Sequence, residues 1–312
     1  MFLFGFLDAL KALLYGIVEG ITEWLPVSST GHMIILDAWL KTESTYGSDF
    51  WSFFLVIIQL GAILAVIVTF IKKLWPFGKN KTAEEKKQVW KTWLYIIIAC
   101  VPAAVIGLLL DDFLDEHLYN FITVAITLIL YGILFIVLEL INRKKEFKIH
   151  DLKEMTWKIA LIIGLIQLLS LIPGTSRSGV TILGAMILGI DRATSAEFSF
   201  CLSIPVMVGA SLLKGLKYFI AIGNGDAPAI TSDQVWFLII GIVSAFLVSL
   251  LAINLLLKFI RNHDFIPFGI YRIVLGVIII ILFATSVLKM SSNTNTSNAM
   301  AKVEEIITTH EI

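Results

Sequence analysis

The sequence has little charge and almost no cysteine. Only 15% of its 312 residues are Asp, Glu, Lys or Arg, against about 25% in an ordinary soluble domain. The hydrophobic share of 58% is concentrated in long runs, and about 20 apolar residues are enough to cross a bilayer. The two cysteines, Cys100 and Cys201, both lie inside apolar runs, which argues against a disulfide framework. The composition predicts a multi-span membrane protein and excludes an ordinary soluble one.

Several common functional signatures are also missing. No Gly-rich nucleotide loop, CxxC pair or HExxH motif occurs, so ATP-driven work and a zinc–thiolate site are not supported. The 24 basic and 24 acidic residues cancel, so net charge predicts no nucleic-acid partner. No small-residue cleavage site follows the first apolar stretch, which Glu19 and Glu23 interrupt, so a removable signal peptide is not expected.

The distribution of hydrophobic and charged residues predicts the membrane topology. The stretches predicted to cross fully are 50–71, 93–110, 119–141, 198–222, 235–260 and 268–289. Segments 72–92, 142–158 and 258–264 are rich in Lys and Arg, whereas 111–118 and 223–234 are acidic. Because cytoplasmic loops carry the Lys/Arg excess, the basic segments are predicted inside and the acidic segments outside.

Two further apolar stretches, 2–40 and 157–190, fit this alternation only if each enters and leaves on the same face. Each is interrupted by residues that cannot continue a helix, at 26–32 in the first and 173–179 in the second. Irregular backbone at membrane depth is tolerated only where protein or a wet cavity satisfies it. We therefore expect two re-entrant broken-helix hairpins.

The two interrupted stretches resemble each other. Gly16 aligns with Gly164 and Glu19 with Gln167 at one spacing, and the prolines align after a one-residue slip. Each stretch precedes three full spans, and an odd number of crossings inserts the second copy upside down. The predicted fold class is an all-α polytopic membrane protein with two inverted-topology repeats, 1–141 and 157–289, followed by a disordered polar tail, 290–312. The alternative is a chance match of two Pro/Gly interruptions.

Arg177 is the most informative polar residue. A charge at membrane depth costs about 2.5–3.5 kcal/mol or more and by default marks function. Hydroxyls at Ser176 and Ser178, free backbone N–H groups and a helix that follows make an anion cradle. Phosphate is the expected ligand of this cradle. The alternative is that Arg177 only ties down unwound backbone carbonyls.

Glu19 and Glu23 lie four residues apart on one helical face. Two carboxylates in a medium of low dielectric repel, so a cation lies between them or one is protonated. Magnesium or calcium bridging carboxylates and substrate phosphates would suit the pair. The alternative is a pair that faces water at a helix end. Because the acids belong to the first repeat and Arg177 to the second, the predicted site is composite.

A cluster of hydroxyls follows these acids. Ser28, Ser29 and Thr30 could cap the next helix. His32, three residues after Ser29, is close enough to deprotonate a nucleophilic hydroxyl or protonate a leaving group. Both interpretations remain open from the sequence.

The motifs at 16–32 (GIVEGITEWLPVSSTGH), 58–66 (IQLGAILAV), 173–179 (PGTSRSG) and 197–205 (EFSFCLSIP) resemble the undecaprenyl-diphosphatase family, also called bacitracin-resistance proteins. The resemblance covers nearly the whole chain up to about residue 289. It implies an inverted-repeat membrane fold and hydrolysis of undecaprenyl diphosphate to the monophosphate, with a divalent metal. It also implies recycling of the cell-wall lipid carrier at the outer face of the bacterial cytoplasmic membrane.

Carried over by position, the resemblance implies roles for individual residues. Glu19 and Glu23 would act at the metal or as acid and base. Ser29 would be the nucleophile, with His32 as its base or as an alternative nucleophile, and Arg177 the diphosphate clamp. Supporting contacts would come from Ser28, Thr30, Ser176 and Ser178.

The leading hypothesis is therefore a lipid diphosphate phosphatase whose partners are the polyprenyl diphosphate substrate and the bilayer. The alternative is a transporter or flippase for a phosphate-bearing anion, because broken helices in inverted repeats are typical of alternating access. A carrier, however, has no need of a hydroxyl beside a histidine. A homodimer is one arrangement that the sequence allows.

Overall fold

The computed structural model describes residues 5–78, 81–118, 120–143 and 146–284. In these ranges the regular structure is helical, apart from an isolated bridge between Ile149 and Ile190. The α-helices are α1 Phe6–Thr22, α2 Ser29–Leu40, α3 Thr42–Tyr46, α4 Ser48–Leu74, α5 Ala83–Leu118, α6 Phe121–Asn142, α7 Trp157–Gln167, α8 Arg177–Ile187, α9 Arg192–Asn224, α10 Ser232–Ile260 and α11 Ile266–Ala284. Short 3-10 helices cover Leu152–Glu154 and Leu168–Leu171. The prediction of an all-α protein is confirmed.

Helices long and apolar enough to cross a membrane number six in the described ranges. They are α4, the Ala83–Leu110 part of α5, α6, α9, α10 and α11. Large apolar side chains on their outer faces are exposed, among them Leu109 at 74% and Leu247 at 59%. Apolar surface on this scale suits lipid rather than water. The chain is a multi-pass membrane protein, as predicted.

Helix boundaries differ from the predicted spans where polar residues extend a helix beyond the lipid. Helix α5 begins at Ala83, where Thr82 and Glu85 form reciprocal side-chain-to-backbone hydrogen bonds of 2.7 and 3.2 Å. It also continues to Leu118 through the segment predicted as an acidic connection. Apolar windows locate the lipid-crossing part of a helix, whereas its caps set its ends. The predicted end of the last span, 285–289, and the tail 290–312 lie outside the described residues.

Both stretches predicted to be re-entrant are broken helices. The first break, residues 23–28, separates α1 from α2, and the second break, residues 172–176, precedes α8. Each break ends in a serine with a left-handed backbone, φ 73° at Ser28 and φ 70° at Ser176. Each serine oxygen accepts a hydrogen bond from the glycine N–H three residues on, Gly31 at 3.5 Å and Gly179 at 3.2 Å. Such a backbone costs about 1–3 kcal/mol and is typical of functional sites.

The first helix of each hairpin packs on a distant span through a glycine. A Cβ at Gly16 on α1 would lie 2.5 Å from the carbonyl oxygen of Gly241 on α10. A Cβ at Gly164 on α7 would lie 2.4 Å from the carbonyl oxygen of Ala99 on α5. Gly16 precedes the capping Ser28 by as many residues as Gly164 precedes the capping Ser176. The two interrupted stretches therefore share this local pattern. The opposite orientation of the repeats and their boundaries stay predictions.

Candidate active site

Glu23 connects the two breaks. Arg177 Nη2 donates a 2.9 Å hydrogen bond to Glu23 Oε1, and Ser29 Oγ donates one of 3.0 Å to Oε2. Ser178 Oγ donates to the backbone oxygen of Glu23 at 3.0 Å. Since Glu23 is only 8% exposed, this ion pair is shielded from solvent. The structure thus brings an acid and a hydroxyl from the first hairpin together with the guanidinium of the second.

Arg177 begins α8 and has both a structural contact and a free donor. Its Nη1 donates to the carbonyl oxygen of Ser199 at 2.9 Å, and its guanidinium lies 5.8 Å from the ring centroid of Trp24. Its Nε is buried and has no hydrogen-bond partner in the described part of the chain. The guanidinium thus binds a carbonyl of helix α9 and the Glu23 carboxylate, rather than the unwound carbonyls of the alternative above, and its Nε–H is left without a protein acceptor among the described residues.

Glu19 lies one helical turn before Glu23. It is 2% exposed, and its Oε1 has no hydrogen-bond partner among the described residues. The alternative of an acid pair facing water is therefore wrong. A buried carboxylate without a partner is costly unless it is protonated or meets a cation.

The two acids do not form a closed metal site by themselves. Across the described ranges, no group of three or more His, Cys, Asp or Glu side chains could hold a metal. Magnesium, however, is commonly held by one or two carboxylates together with substrate phosphates. The unpartnered Glu19 oxygen suits such a cation, whereas both oxygens of Glu23 already accept hydrogen bonds, from Arg177 and Ser29.

His32 is held away from the Ser29 hydroxyl. Its Nδ1 lies 2.7 Å from the carbonyl oxygen of Ser28, and its Nε2 lies 2.7 Å from the hydroxyl of Tyr271. Because a carbonyl only accepts, the neutral ring carries its proton on Nδ1, and Nε2 accepts from Tyr271. The Tyr271 ring stacks on the imidazole with an interplanar angle of 6°. The expected pairing of His32 with Ser29 is not formed, since Ser29 bonds Glu23 instead.

The remaining predicted contact residues differ in their surroundings. Ser28 and Ser176 are caps, as described above, and Ser176 Oγ lies 3.2 Å from Ser178 Oγ. These hydroxyls therefore hold the breaks in place. Thr30 is half-buried in the first turn of α2.

Sequence reasoning missed four residues around the site: Trp24, Ser199, Tyr271 and Arg272. Arg272 is fully buried in α11 and donates to the carbonyl oxygens of Pro26, Gly174 and Thr175. Arg272 could have been recognised from the sequence, because it interrupts the apolar span 268–289 as Arg177 interrupts the stretch 157–190. Trp24 and Ser199 act through a ring face and a backbone carbonyl, which no sequence motif marks.

Fold and site together define the class of protein. It is a polytopic membrane protein with a buried acid–hydroxyl–guanidinium cluster assembled at two helix breaks. Residues 12–278 match the family described as bacitracin resistance protein BacA. The chain belongs to that family.

Individual relatives are similar over most of their length. A protein of Enterococcus faecalis is 51% identical over 275 residues, covering 88% of this chain and 97% of the relative. A protein of Streptococcus thermophilus is 52% identical over 274 residues, covering 88% of this chain and 93% of the relative. One of Lactobacillus delbrueckii subsp. bulgaricus is 49% identical over 275 residues, covering 88% and 98%. Each of the three is called undecaprenyl-diphosphatase.

Proposed function

We propose that this chain is an integral-membrane phosphatase that hydrolyses undecaprenyl diphosphate to undecaprenyl phosphate and inorganic phosphate. The reaction would recycle the lipid carrier of cell-wall synthesis. The observation that carries the proposal is the hydrogen-bonded series Ser29–Glu23–Arg177, which joins a hydroxyl, a proton acceptor and an anion-binding cation across the two breaks. The names of the relatives support the same substrate.

Arg177 is the proposed diphosphate clamp. Its unpartnered Nε–H is one donor, and the phosphate would compete with Glu23 for Nη2. The first backbone N–H groups of α2 and α8 add further donors, because the start of a helix leaves them without intrahelical partners. Ser28, Ser176 and Ser178 would support the clamp by holding the breaks, while the Thr30 hydroxyl could contact a phosphate oxygen.

Ser29 is the proposed nucleophile. Its Oγ attacks the terminal phosphorus, and Glu23 Oε2, already its hydrogen-bond acceptor, takes the proton. The bond from phosphorus to the bridging oxygen breaks, and undecaprenyl phosphate leaves with the proton that Glu23 returns to it, so that Glu23 is again a carboxylate. Water then attacks the phosphoserine, Glu23 takes a proton from it, and Ser29 Oγ regains a proton as inorganic phosphate departs. Positioning and charge stabilisation supply most of the rate enhancement in such transfers.

His32 has a less direct part in this scheme. Its Nε2 can act on substrate only after Tyr271 releases it, because Nδ1 is engaged with the Ser28 carbonyl. We therefore assign the first proton transfer to Glu23. His32 remains the alternative nucleophile, and mapping the phosphorylated residue separates the two.

Glu19 and Glu23 are the proposed holders of magnesium or calcium. When bound, the cation would neutralise charge on the diphosphate as the bridging bond breaks. The Lys/Arg distribution supports a site that opens to the outer face of the bacterial cytoplasmic membrane.

The test is phosphate release from undecaprenyl or farnesyl diphosphate in detergent. We expect Ser29→Ala and Arg177→Ala to lose activity by at least about 100-fold, with an unchanged gel-filtration profile. Ser44→Ala and Arg143→Ala change an exposed serine on α3 and an exposed arginine after α6, and should retain full activity. Transport of a lipid phosphate in vesicles by protein without hydrolytic activity would overturn the proposal in favour of a carrier.

A further inference from the structure

Arg272 is a buried cation that the proposed chemistry does not use. It lies within the lipid-crossing helix α11, and its relative exposure is 0%. No carboxylate in the described ranges forms an ion pair with it. A charge in this environment is expensive, so its retention calls for a function.

The guanidinium reaches both breaks at once. Nη1 donates to the Pro26 carbonyl oxygen at 3.1 Å, and Nη2 donates to those of Gly174 and Thr175 at 2.9 Å each. Pro26 lies two residues before Ser28, while Gly174 and Thr175 directly precede Ser176. One side chain therefore holds the carbonyls just ahead of both strained helix caps. In lipid no water replaces these contacts if they are lost.

Helix α6 also contacts the Arg272 side chain. A Cβ at Gly132 on α6 would lie 3.2 Å from Arg272 Cβ, so the two helices approach closely at this point. The guanidinium also lies 5.8 Å from the ring centroid of Tyr131. A planar fork held in this way has a defined direction, which an ammonium group on a flexible stem lacks.

We propose that Arg272 is a positioning residue that holds the two breaks in register, so that Ser29 and Glu23 on one side meet Arg177 on the other. It touches none of the reacting atoms. Its effect on rate rests on the proposed function, whereas its effect on the backbone of the breaks does not. The experiment therefore measures the two separately.

The variants are Arg272→Lys, which keeps the charge but loses the fork, and Arg272→Met, which loses both. The control is Arg192→Lys, since Arg192 forms a similar fork with buried Glu139 away from the breaks. Amide hydrogen exchange by mass spectrometry is followed in peptides covering 24–31 and 172–179. Both Arg272 variants should speed exchange about tenfold or more in both segments together, while Arg192→Lys should not.

Activity gives the second readout. Misplacement of groups by about 1 Å can cost about 100-fold in rate, so kcat should fall by this order in both Arg272 variants. If Arg272→Lys kept full activity while the amides of both breaks exchanged as fast as in Arg272→Met, only the charge of Arg272 would matter for activity. This result would overturn the proposal. Faster exchange spread over all helices, or loss of folding in both variants, would make Arg272 a general stability residue and would also overturn it. If the wild type protects both breaks through Arg272 but hydrolyses no diphosphate, the proposed function fails and the positioning role stands.

Discussion

Each oxygen of the Glu23 carboxylate has a different partner. Oε1 accepts from the Arg177 guanidinium and Oε2 from the Ser29 hydroxyl. An amide has only one oxygen and cannot take up a proton at neutral pH. Glu23→Gln should therefore lower kcat by about 100-fold to 10,000-fold, measured as phosphate release at saturating substrate. Glu84→Gln, on the exposed start of α5, is the matched control, and a Glu23→Gln rate within threefold of the control would remove Glu23 from the chemistry.

Glu19 has a different role in the account, that of the carboxylate left available for a cation. Glu19→Gln should raise the magnesium concentration needed for half-maximal activity by about tenfold or more. It should also leave the melting temperature in EDTA unchanged or higher, since it removes an unpartnered buried carboxylate. Titration of activity with metal and thermal unfolding without it are the two measurements. An unaltered metal requirement would contradict the assignment.

The sequence identified most residues of the site but not their pairing. Arg177, Glu19 and Glu23 are recognisable because ionisable groups are rare in apolar stretches. The contact of Ser29 differs from the expected one, because spacing on α2 favours His32, whereas the irregular backbone of residues 23–28 lets Glu23 reach the Ser29 hydroxyl. Arg272 obeys the same rule as Arg177, but it lies in an otherwise regular apolar span and not beside a Pro/Gly/Ser interruption.

Helix packing at Gly16 and Gly164 is testable at the scale of elements. A methyl group at either position would meet a backbone carbonyl at 2.4–2.5 Å, and overpacking of this kind costs about 1–3 kcal/mol. Gly16→Ala and Gly164→Ala should lower the melting temperature in detergent and shift α1 or α7 relative to its neighbour.

The control for this prediction is Gly209→Ala in α9, where a Cβ would meet nothing within 4 Å. Alanine is the better helix former by about 1 kcal/mol, so this variant should be as stable as the wild type or more so. Equal melting temperatures for all three variants would show that the close approaches of α1 and α7 are not real constraints.

The number of lipid-crossing helices was predicted correctly, but the residues at which the helices begin and end were predicted poorly. Long apolar windows identified the helices that cross the lipid, and the Pro/Gly/Ser interruptions identified the breaks. Helix ends depend on caps such as Thr82 with Glu85 and Asp191 with Ala193 and Thr194, which lie outside the apolar runs. The matched left-handed serines could not be foreseen, because serine rarely adopts this conformation and no composition rule selects it.

Topology belongs to the whole molecule and depends on the loop charges. In a protein lacking Cys100 and Cys201, a cysteine at Ala229, in the connection between α9 and α10, should react with a membrane-impermeant maleimide on intact cells. A cysteine at Lys86, in the basic segment, should react only after permeabilisation. Both positions are exposed. The reverse pattern would turn the site toward the cytoplasm and contradict the proposed recycling at the outer face.

The composite nature of the site follows from the fold rather than from either half. Acids and hydroxyl come from the first hairpin and the clamp from the second, and each hairpin packs on a span of the other predicted repeat. The composite site was predicted because the acids and Arg177 lie in different interrupted stretches. The atomic contacts across it were not predictable, because they depend on how two irregular breaks fit together.

In the proposed mechanism, Ser29 takes the terminal phosphoryl group. Glu23 accepts the Ser29 proton, and Arg177 binds the diphosphate. The most direct measurement is rapid acid or denaturant quench with diphosphate substrate labelled at its terminal phosphorus, followed by mass-spectrometric mapping of the modified residue. We expect phosphoserine at position 29 in the wild type, accumulating before phosphate release and absent in Ser29→Ala. A phosphoryl group on His32, one outside the two breaks, or rapid turnover with no phosphoenzyme under any quench would contradict it.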